Sequence, residues 1–209
     1  MNTTKQLIFL PGASGRTDFW LPLIKNLPKN ISTQIIAYPA FGNEPAHPDI
    51  HNFEQLQHYV LDKIDHPCIL VAQSMGGIFA VAAALKKPEL IQGLVLIATS
   101  GGIDLSQFNV ADWRQSYAKE FLNYPDWFIT TKINYESQLA QIQQKILLIW
   151  GDHDLVSPVE VGQYLEQSFQ NAKFKIIHGG EHDLAHRYAE QVAQEIVLYL
   201  SQLDMNLLN

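Results

Sequence analysis

The chain alternates short runs of apolar residues with longer stretches in which apolar residues recur every three to four positions. Short runs rich in Leu, Ile and Val are typical of buried strands, whereas the longer spacing is typical of helices that cover a sheet. The predicted strands are Gln6–Leu10, 33–38, Cys68–Gln73, 93–98, 145–150 and 173–177. The predicted helices are 18–27, 53–64, Met75–Lys86, 158–169 and 183–203. This order predicts an α/β fold with a doubly wound, mostly parallel sheet of about six strands and helices on both faces.

The alternation of strand and helix is interrupted between residues 101 and 141, where aromatic residues are enriched. Four of them recur at helical spacing and form one stripe if residues 111–123 are a helix that ends before Pro125. They are Trp113, Tyr117, Phe121 and Tyr124. We expect residues 101–141 to form a short helical cap over one end of the sheet, within a single domain that spans residues 1–209. The stripe either attaches the cap to the sheet or lines an apolar substrate pocket.

The composition excludes several classes of protein. With 209 residues, 47% hydrophobic and 17% charged, the chain is long enough for one domain with a sizeable core and too apolar to be disordered. Its net charge of −7 provides no basic surface field for nucleic acid. The single cysteine, Cys68, has no second thiol for a disulfide or a cysteine metal site and is most simply a small core residue. Because no apolar run reaches the ~18 residues of a membrane span and the first residues lack a signal-peptide pattern, we expect a cytoplasmic protein.

Ser74 stands between the third predicted strand and a helix of small residues. A strand that turns sharply into a helix exposes the residue at the turn, and small residues two positions before and after it let the two elements approach each other. Ala72 and Gly76 occupy those positions. The pattern predicts a nucleophilic serine, and a serine that caps the N-terminus of a helix has the same local pattern.

Carboxylates and histidines follow the last two predicted strands. A serine hydroxyl needs a histidine to take its proton, and the histidine needs a carboxylate to orient it. Asp152 and Asp154 follow the fifth strand, and His178, His182 and His186 follow the sixth. Because the carboxyl ends of parallel strands meet at one edge of a sheet, we expect these side chains near the serine, in the chain order serine, aspartate, histidine.

Four further turns carry recognisable motifs. The loop after the fifth strand has the pattern Gly-x-x-Asp-x-x-x-Pro, at Gly151, Asp154 and Pro158, and the loop after the sixth has Gly-Gly-x-His at residues 179–182. The turns after the first two strands are Pro11-Gly12-Ala13 and Pro39-Ala40-Phe41-Gly42. Together with the turn at Ser74, these motifs make nearly the whole chain resemble the α/β-hydrolase superfamily, and within it carboxylesterases of the pimeloyl-ACP methyl ester esterase type.

The resemblance implies a role for each matched residue. Ser74 would be the nucleophile, His182 the general base and then the general acid, and Asp154 the carboxylate that orients the histidine. The backbone N–H groups of Ala13 and Met75 would form the oxyanion hole. Backbone donors do not depend on the identity of the side chain.

Other residues compete for these roles. Asp152 comes only two residues after the predicted end of its strand, and we expect it to stabilise a turn. The alternatives to His182 are His153, His178 and His186. A metal site is a further alternative, with ligands His178, His182, His186 and Asp183. Since the chain has no His-Glu-x-x-His pattern, we expect neither a metal nor a cofactor.

The resemblance also implies an α/β-hydrolase fold that lacks the first two edge strands of the family, with strand order 2-1-3-4-5-6 and the site at the switch point between strands one and three. It implies hydrolysis of a carboxylic ester or thioester through an acyl-enzyme, on a small-molecule or acyl-carrier substrate. The alternatives are a C–C bond hydrolase or a lyase with the same triad, and a hydrolase-like binding protein without activity.

The candidate substrate-binding residues are Trp20, Trp113, Arg114 and Tyr117. Arg114 in the cap, or Arg16 beside the first turn, would anchor a carboxylate or a carrier phosphate. The alternative for both arginines is a solvated or ion-paired surface side chain.

Overall fold

The protein is described by a computed structural model that covers residues 5–204. The two ends of the predicted domain, residues 1–4 and 205–209, lie outside the described residues. No helix within 5–204 is long and apolar enough to cross a membrane.

The sheet consists of six parallel strands. They are β1 (Gln6–Leu10), β2 (Ser32–Ile35), β3 (Cys68–Gln73), β4 (Ile91–Ile97), β5 (Ile146–Gly151) and β6 (Ala172–Ile177). Their order across the sheet, β2-β1-β3-β4-β5-β6, confirms the predicted topology. At the carboxyl edge, Ala72 of β3 pairs with Leu10 of β1, and Gln73 pairs with Ile97 of β4. The turns that follow β1, β3 and β4 therefore meet at one place.

Helices cover both faces of the sheet, as predicted. They are α1 (Leu21–Lys25), α2 (Phe53–Asp62), α3 (Met75–Lys86), α4 (Arg114–Glu120), α5 (Trp127–Thr130), α6 (Val159–Ser168), α7 (Leu184–Arg187) and α8 (Ala189–Asp204). Alternate strand residues point to opposite faces. Leu70 packs in the apolar cluster with α2, α3 and α6, and its neighbour Val71 packs in the cluster with α1 and α8. Both clusters are buried, which explains why the strands are apolar at consecutive positions.

Outside the cap, the largest differences between the predicted and the observed ends concern three elements, and the other ends differ by no more than two residues. The strand predicted at 33–38 ends at Ile35, because its partner β1 stops before Pro11, which has no N–H to donate. The helix predicted at 18–27 is a 3-10 turn (Thr17–Trp20) followed by α1. The helix predicted at 183–203 is interrupted at Tyr188, whose hydroxyl donates a hydrogen bond to the carbonyl of Gly179.

The region between β4 and β5 contains α4, α5 and a 3-10 turn (Glu136–Gln141). The helix predicted at 111–123 is shorter than expected. Its aromatic residues nevertheless form a continuous stripe, because the rings of Trp113 and Tyr117, of Tyr117 and Phe121, and of Phe121 and Tyr124 lie 4.9–5.9 Å apart. The end of the stripe contacts the body of the protein, where the ring of Tyr124 lies 5.6 Å from that of Phe41.

Candidate active site

Ser74 occupies the sharp turn between β3 and α3, with a φ of 52° that side chains rarely adopt. Glycine is required just after it, because a Cβ on Gly76 would lie 2.3 Å from the carbonyl oxygen of Leu10. The backbone of Ser74 is held on both sides: its N–H donates to Ile97 and its carbonyl accepts from the hydroxyl of Thr99. The turn thus projects the serine side chain beyond the sheet edge in a fixed direction.

The hydroxyl of Ser74 contacts a histidine that is in turn held by a buried carboxylate. The Nε2 atom of His182 lies 3.1 Å from Oγ of Ser74, and its Nδ1 atom lies 2.8 Å from Oδ2 of Asp154. This contact replaces the helix-capping interaction that was the alternative for the serine. The structure therefore brings together the three residues that the motifs single out, from loops after β3, β5 and β6.

Asp154 is buried, with its side chain fully shielded from solvent. Its second oxygen, Oδ1, accepts hydrogen bonds from the backbone N–H groups of Val156 and Ser157, at 2.8 and 2.9 Å. Both carboxylate oxygens thus have donors, as a buried charge requires. The hydroxyl of Ser157 accepts a bond from the indole of Trp150, which fixes the loop to the end of β5.

The loops that carry the acid and the histidine are in backbone contact. A Cβ on Gly151 would lie 2.1 Å from the carbonyl oxygen of Gly180, and that carbonyl accepts a hydrogen bond from the N–H of His153. The carbonyl of His182 accepts a bond from the side chain of Gln73, the residue before the serine. These contacts hold the three loops in register, and they explain the glycines of both loop motifs.

The competing residues lie in other environments. Asp152 accepts hydrogen bonds from the exposed His178 and from the N–H of Gly179, and these bonds hold the pKa of Asp152 below its usual range. His153 is exposed. The Nδ1 atom of His186 lies 3.0 Å from the carbonyl oxygen of Phe19, and its ring stacks on the ring of that residue. No three His, Cys, Asp or Glu side chains in the described part of the chain are grouped so that they could hold a metal ion.

The predicted oxyanion donors lie on either side of Ser74. Met75 is the first residue of α3, where backbone N–H groups have no acceptor within the helix. Ala13 follows Gly12, and a Cβ on Gly12 would lie 3.3 Å from Cβ of Ser74. The carbonyl of Gly12 accepts a hydrogen bond from Gly15, which closes the turn. This turn, residues 12–15, is called the oxyanion turn below.

A cavity of about 650 Å³ opens above Ser74 and His182. Two of the candidate substrate-binding residues, Trp113 and Tyr117, line it, so the aromatic stripe both attaches the cap and lines the cavity. The other large apolar lining residues are Phe19, Leu105, Phe121, Phe128 and Val156.

The two other candidates do not line the cavity. Trp20 is fully buried against Phe9 on the α1 and α8 face of the sheet, and its neighbour Phe19 faces the cavity instead. Arg114 is exposed, and its guanidinium lies over the ring of Trp113, 5.1 Å from the centroid. The 3-10 turn (Thr17–Trp20) places Phe19 rather than Trp20 toward the cavity. The pattern of apolar residues does not distinguish between these two neighbours.

The rim of the cavity carries more acidic than basic side chains. Glu120, Glu181 and Asp183 line it and are exposed, and Glu181 accepts a hydrogen bond of 2.7 Å from Arg187. The guanidinium of Arg16 also lines it, but this side chain is bound to the carboxylate of Asp18 through contacts of 2.6 and 3.0 Å. The bond from Arg16 holds the pKa of Asp18 below its usual range. The cation at the rim is therefore already neutralised by a neighbour.

Comparisons with known proteins show which chains this one resembles. Residues 5–134 match the family model described as the alpha/beta hydrolase fold. The chain is 20% identical to a pimeloyl-[acyl-carrier protein] methyl ester esterase of Legionella pneumophila (strain Paris), over 84% of this chain and 87% of that protein. It is 24% identical to the uncharacterized hydrolase YugF of Bacillus subtilis (strain 168), over 78% and 77%. The solved structure of a thermophilic esterase from Thermogutta terrifontis superposes with a TM-score of 0.77 at 16% identity, covering 96% of this chain and 91% of that one.

Proposed function

Because this chain belongs to the alpha/beta hydrolase fold family, we propose that it is a serine hydrolase that cleaves a carboxylic ester or thioester through an acyl-enzyme on Ser74. One observation carries the proposal: the 3.1 Å contact from Oγ of Ser74 to Nε2 of His182, with Nδ1 of His182 held 2.8 Å from the buried carboxylate of Asp154. A hydroxyl, a base and an orienting carboxylate in this order are what nucleophilic catalysis by serine requires.

In the acylation step, Oγ of Ser74 attacks the carbonyl carbon while its proton moves to Nε2 of His182. The carbonyl electron pair moves onto oxygen, and the backbone N–H groups of Ala13 and Met75 donate hydrogen bonds to the resulting oxyanion. When the tetrahedral intermediate collapses, the bond to the leaving alcohol or thiol breaks and His182 supplies the proton. Asp154 stabilises the imidazolium that exists between these two proton transfers.

In the deacylation step, water replaces the leaving group. His182 takes a proton from the water, and the hydroxide attacks the acyl carbon. The oxyanion accepts hydrogen bonds from the same two N–H groups. Collapse of the second intermediate returns the proton to Oγ of Ser74 and releases the carboxylic acid. The cavity of about 650 Å³ gives the water access to the acyl-enzyme.

The lining of the cavity supports an acyl or alkyl group of apolar character. Aromatic side chains from the cap, Trp113, Tyr117, Phe121 and Phe128, stand over the triad. Burying a short alkyl chain against them stabilises the complex by about 0.8 kcal/mol for each methylene. The esterases among the relatives act on esters, as their names say, and this is consistent with the proposal.

The experiment that tests the proposal combines a fluorophosphonate probe with p-nitrophenyl esters of two to eight carbons. We expect the purified protein to be labelled and to hydrolyse the esters, and Ser74→Ala to do neither. Ser100→Ala is the matched control, because Ser100 also lines the cavity and should leave both activities intact. Labelling that survives in Ser74→Ala would contradict the nucleophile. A folded wild-type protein that neither labels nor turns over esters would favour a C–C hydrolase, a lyase or a binding protein.

A further inference from the structure

A side chain of the cap is hydrogen-bonded to the oxyanion turn. The hydroxyl of Tyr117, in α4, donates a hydrogen bond of 2.8 Å to the carbonyl oxygen of Ala13. The two residues are 104 positions apart in the chain. Burial raises the pKa of the Tyr117 hydroxyl, so the group stays protonated and remains a donor at neutral pH.

The two ends of the oxyanion turn are glycines that pack closely against neighbouring residues. Gly12 lies against the side chain of Gln73, where a Cβ would come within 2.4 Å of its oxygen. Gly15 has a φ of 63°, and a Cβ there would lie 2.4 Å from Cβ of Phe41. Ala13 lies between these two fixed ends. Its carbonyl faces the cap and is held by Tyr117.

The ring of Tyr117 is itself held in place by the aromatic stripe. Trp113 lies one helical turn before it and Phe121 one turn after it, with ring centroids at 5.9 and 4.9 Å. Tyr117 is only 9% exposed. The position of its hydroxyl is therefore set by how the whole cap sits on the body of the protein.

We propose that Tyr117 is a positioning residue, which holds the oxyanion turn so that the N–H of Ala13 points at the developing oxyanion. Fixing the carbonyl of Ala13 restrains rotation about the two backbone bonds of this residue, and with them the direction of its N–H. The inference rests on the proposed function, in which that N–H receives the oxyanion. It implies that the site is fully competent only when the cap is seated.

The test compares Tyr117→Phe, which keeps the ring, with Tyr124→Phe, which removes a hydroxyl from the other end of the same stripe. Removing an oxyanion donor altogether lowers kcat about 100- to 1,000-fold. Loosening a donor that is still present should lower kcat about tenfold. We expect KM for p-nitrophenyl butyrate to change little in Tyr117→Phe, and Tyr124→Phe to match the wild type in both constants.

If Tyr117 had only a structural role, its loss would weaken the binding of ground-state and transition-state analogues alike. Affinity for butylboronic acid, which forms a tetrahedral adduct on the serine, should fall in Tyr117→Phe by the same factor as kcat. Affinity for butanol, which binds without forming an oxyanion, should not fall. 4-Aminophenylalanine at position 117 restores a donor and should restore kcat. If Tyr117→Phe does not fold, 4-fluorophenylalanine at the same position provides a ring of similar size without the donor.

Wild-type kcat and boronate affinity in the variants without a donor would overturn the inference, as would failure of 4-aminophenylalanine to rescue. The proposed function fails in a different way, when the folded wild type does not hydrolyse esters or when its activity survives in Ser74→Ala. The two failures are therefore told apart by the Ser74→Ala control.

Discussion

Asp152 and Asp154 are separated by one residue and contact two different histidines. Oδ2 of Asp154 lies 2.8 Å from Nδ1 of His182, and Oδ2 of Asp152 lies 2.8 Å from Nδ1 of His178. The two pairs have the same length but differ in their exposure to solvent. The side chain of Asp154 is fully buried, whereas in the other pair the side chain of His178 is 88% exposed. The two pairs thus allow a comparison between a buried interaction within the proposed triad and a surface interaction.

Replacing each aspartate by asparagine should separate the two pairs. Asp154→Asn leaves an amide beside His182 and favours the wrong tautomer, so kcat for ester hydrolysis should fall about 10⁴-fold. Asp152→Asn should change kcat less than about threefold, because exposed pairs contribute little. Steady-state kinetics with p-nitrophenyl butyrate measure both. Equal losses in the two variants would contradict the choice of Asp154 as the orienting acid.

A second pair of variants tests the choice of His182 over His186, the other histidine that lines the cavity. His182→Ala should abolish the burst of p-nitrophenol in a stopped-flow experiment, because the Ser74 hydroxyl then has no base within reach. His186→Ala also opens space at the cavity but should keep the burst, since its Nδ1 contacts the carbonyl of Phe19 and not Ser74. A burst that disappears only in His186→Ala would reverse the assignment.

Charge at the rim should make the enzyme discriminate between esters. Glu120 and Asp183 carry negative charge beside the cavity, while Arg16 is bound to Asp18. At low ionic strength we expect kcat/KM for the p-nitrophenyl ester of adipate, which has a free carboxylate, to be about three- to tenfold below that of hexanoate. The 6-aminohexanoate ester should not show this loss. Salt at 0.5 M should reduce the difference, because it screens exposed charges.

A double variant, Glu120→Gln with Asp183→Asn, should also reduce this difference. Glu89→Gln is the control, because Glu89 lies beyond the far end of α3, about 18 Å of helix away from Ser74. A preference for the anionic ester in the wild type would argue against a repulsive rim. It would support the alternative in which Arg16 or Arg114 binds a carboxylate or a carrier phosphate.

Cys68 should be inert in the folded protein. It is fully buried at the start of β3, and burial raises the pKa of its thiol to about 12. Since the thiolate is the reactive form, a disulfide reagent such as DTNB should not react with the native protein at pH 8. It should react with one thiol per chain in urea. Rapid reaction without denaturant, with loss of esterase activity, would contradict the burial of this residue.

The sequence predicted most reliably the elements whose residues face apolar surroundings on all sides. β3 and α3 have the predicted bounds because nearly every residue in them is buried, so their pattern is unambiguous. The break at Tyr188 was not predicted, since it accompanies a bond to Gly179 in another loop. Likewise, the choice between Phe19 and Trp20 depends on packing against Phe9, which no local pattern reports.

The same distinction applies to the site. The order and spacing of Ser74, Asp154 and His182 could be found from short motifs, because each lies in the turn or loop that follows a strand. The bond from Tyr117 to Ala13 could not be found, because it depends on how the cap lies over the sheet. Periodicity showed that Tyr117 belongs to an apolar stripe. It gave no signal that the hydroxyl reaches the turn after β1.

The left-handed φ of 52° at Ser74 means that the side chain of the proposed nucleophile destabilises the turn that holds it. A side chain in this conformation costs about 1–3 kcal/mol. Because glycine adopts this φ without strain, the free energy of unfolding of Ser74→Gly should exceed that of Ser74→Ala by about 1 kcal/mol. Neither variant should be active. Equilibrium urea denaturation of the two proteins measures the difference. Glycine would be more stable at this position, so the stability of the fold does not explain the serine.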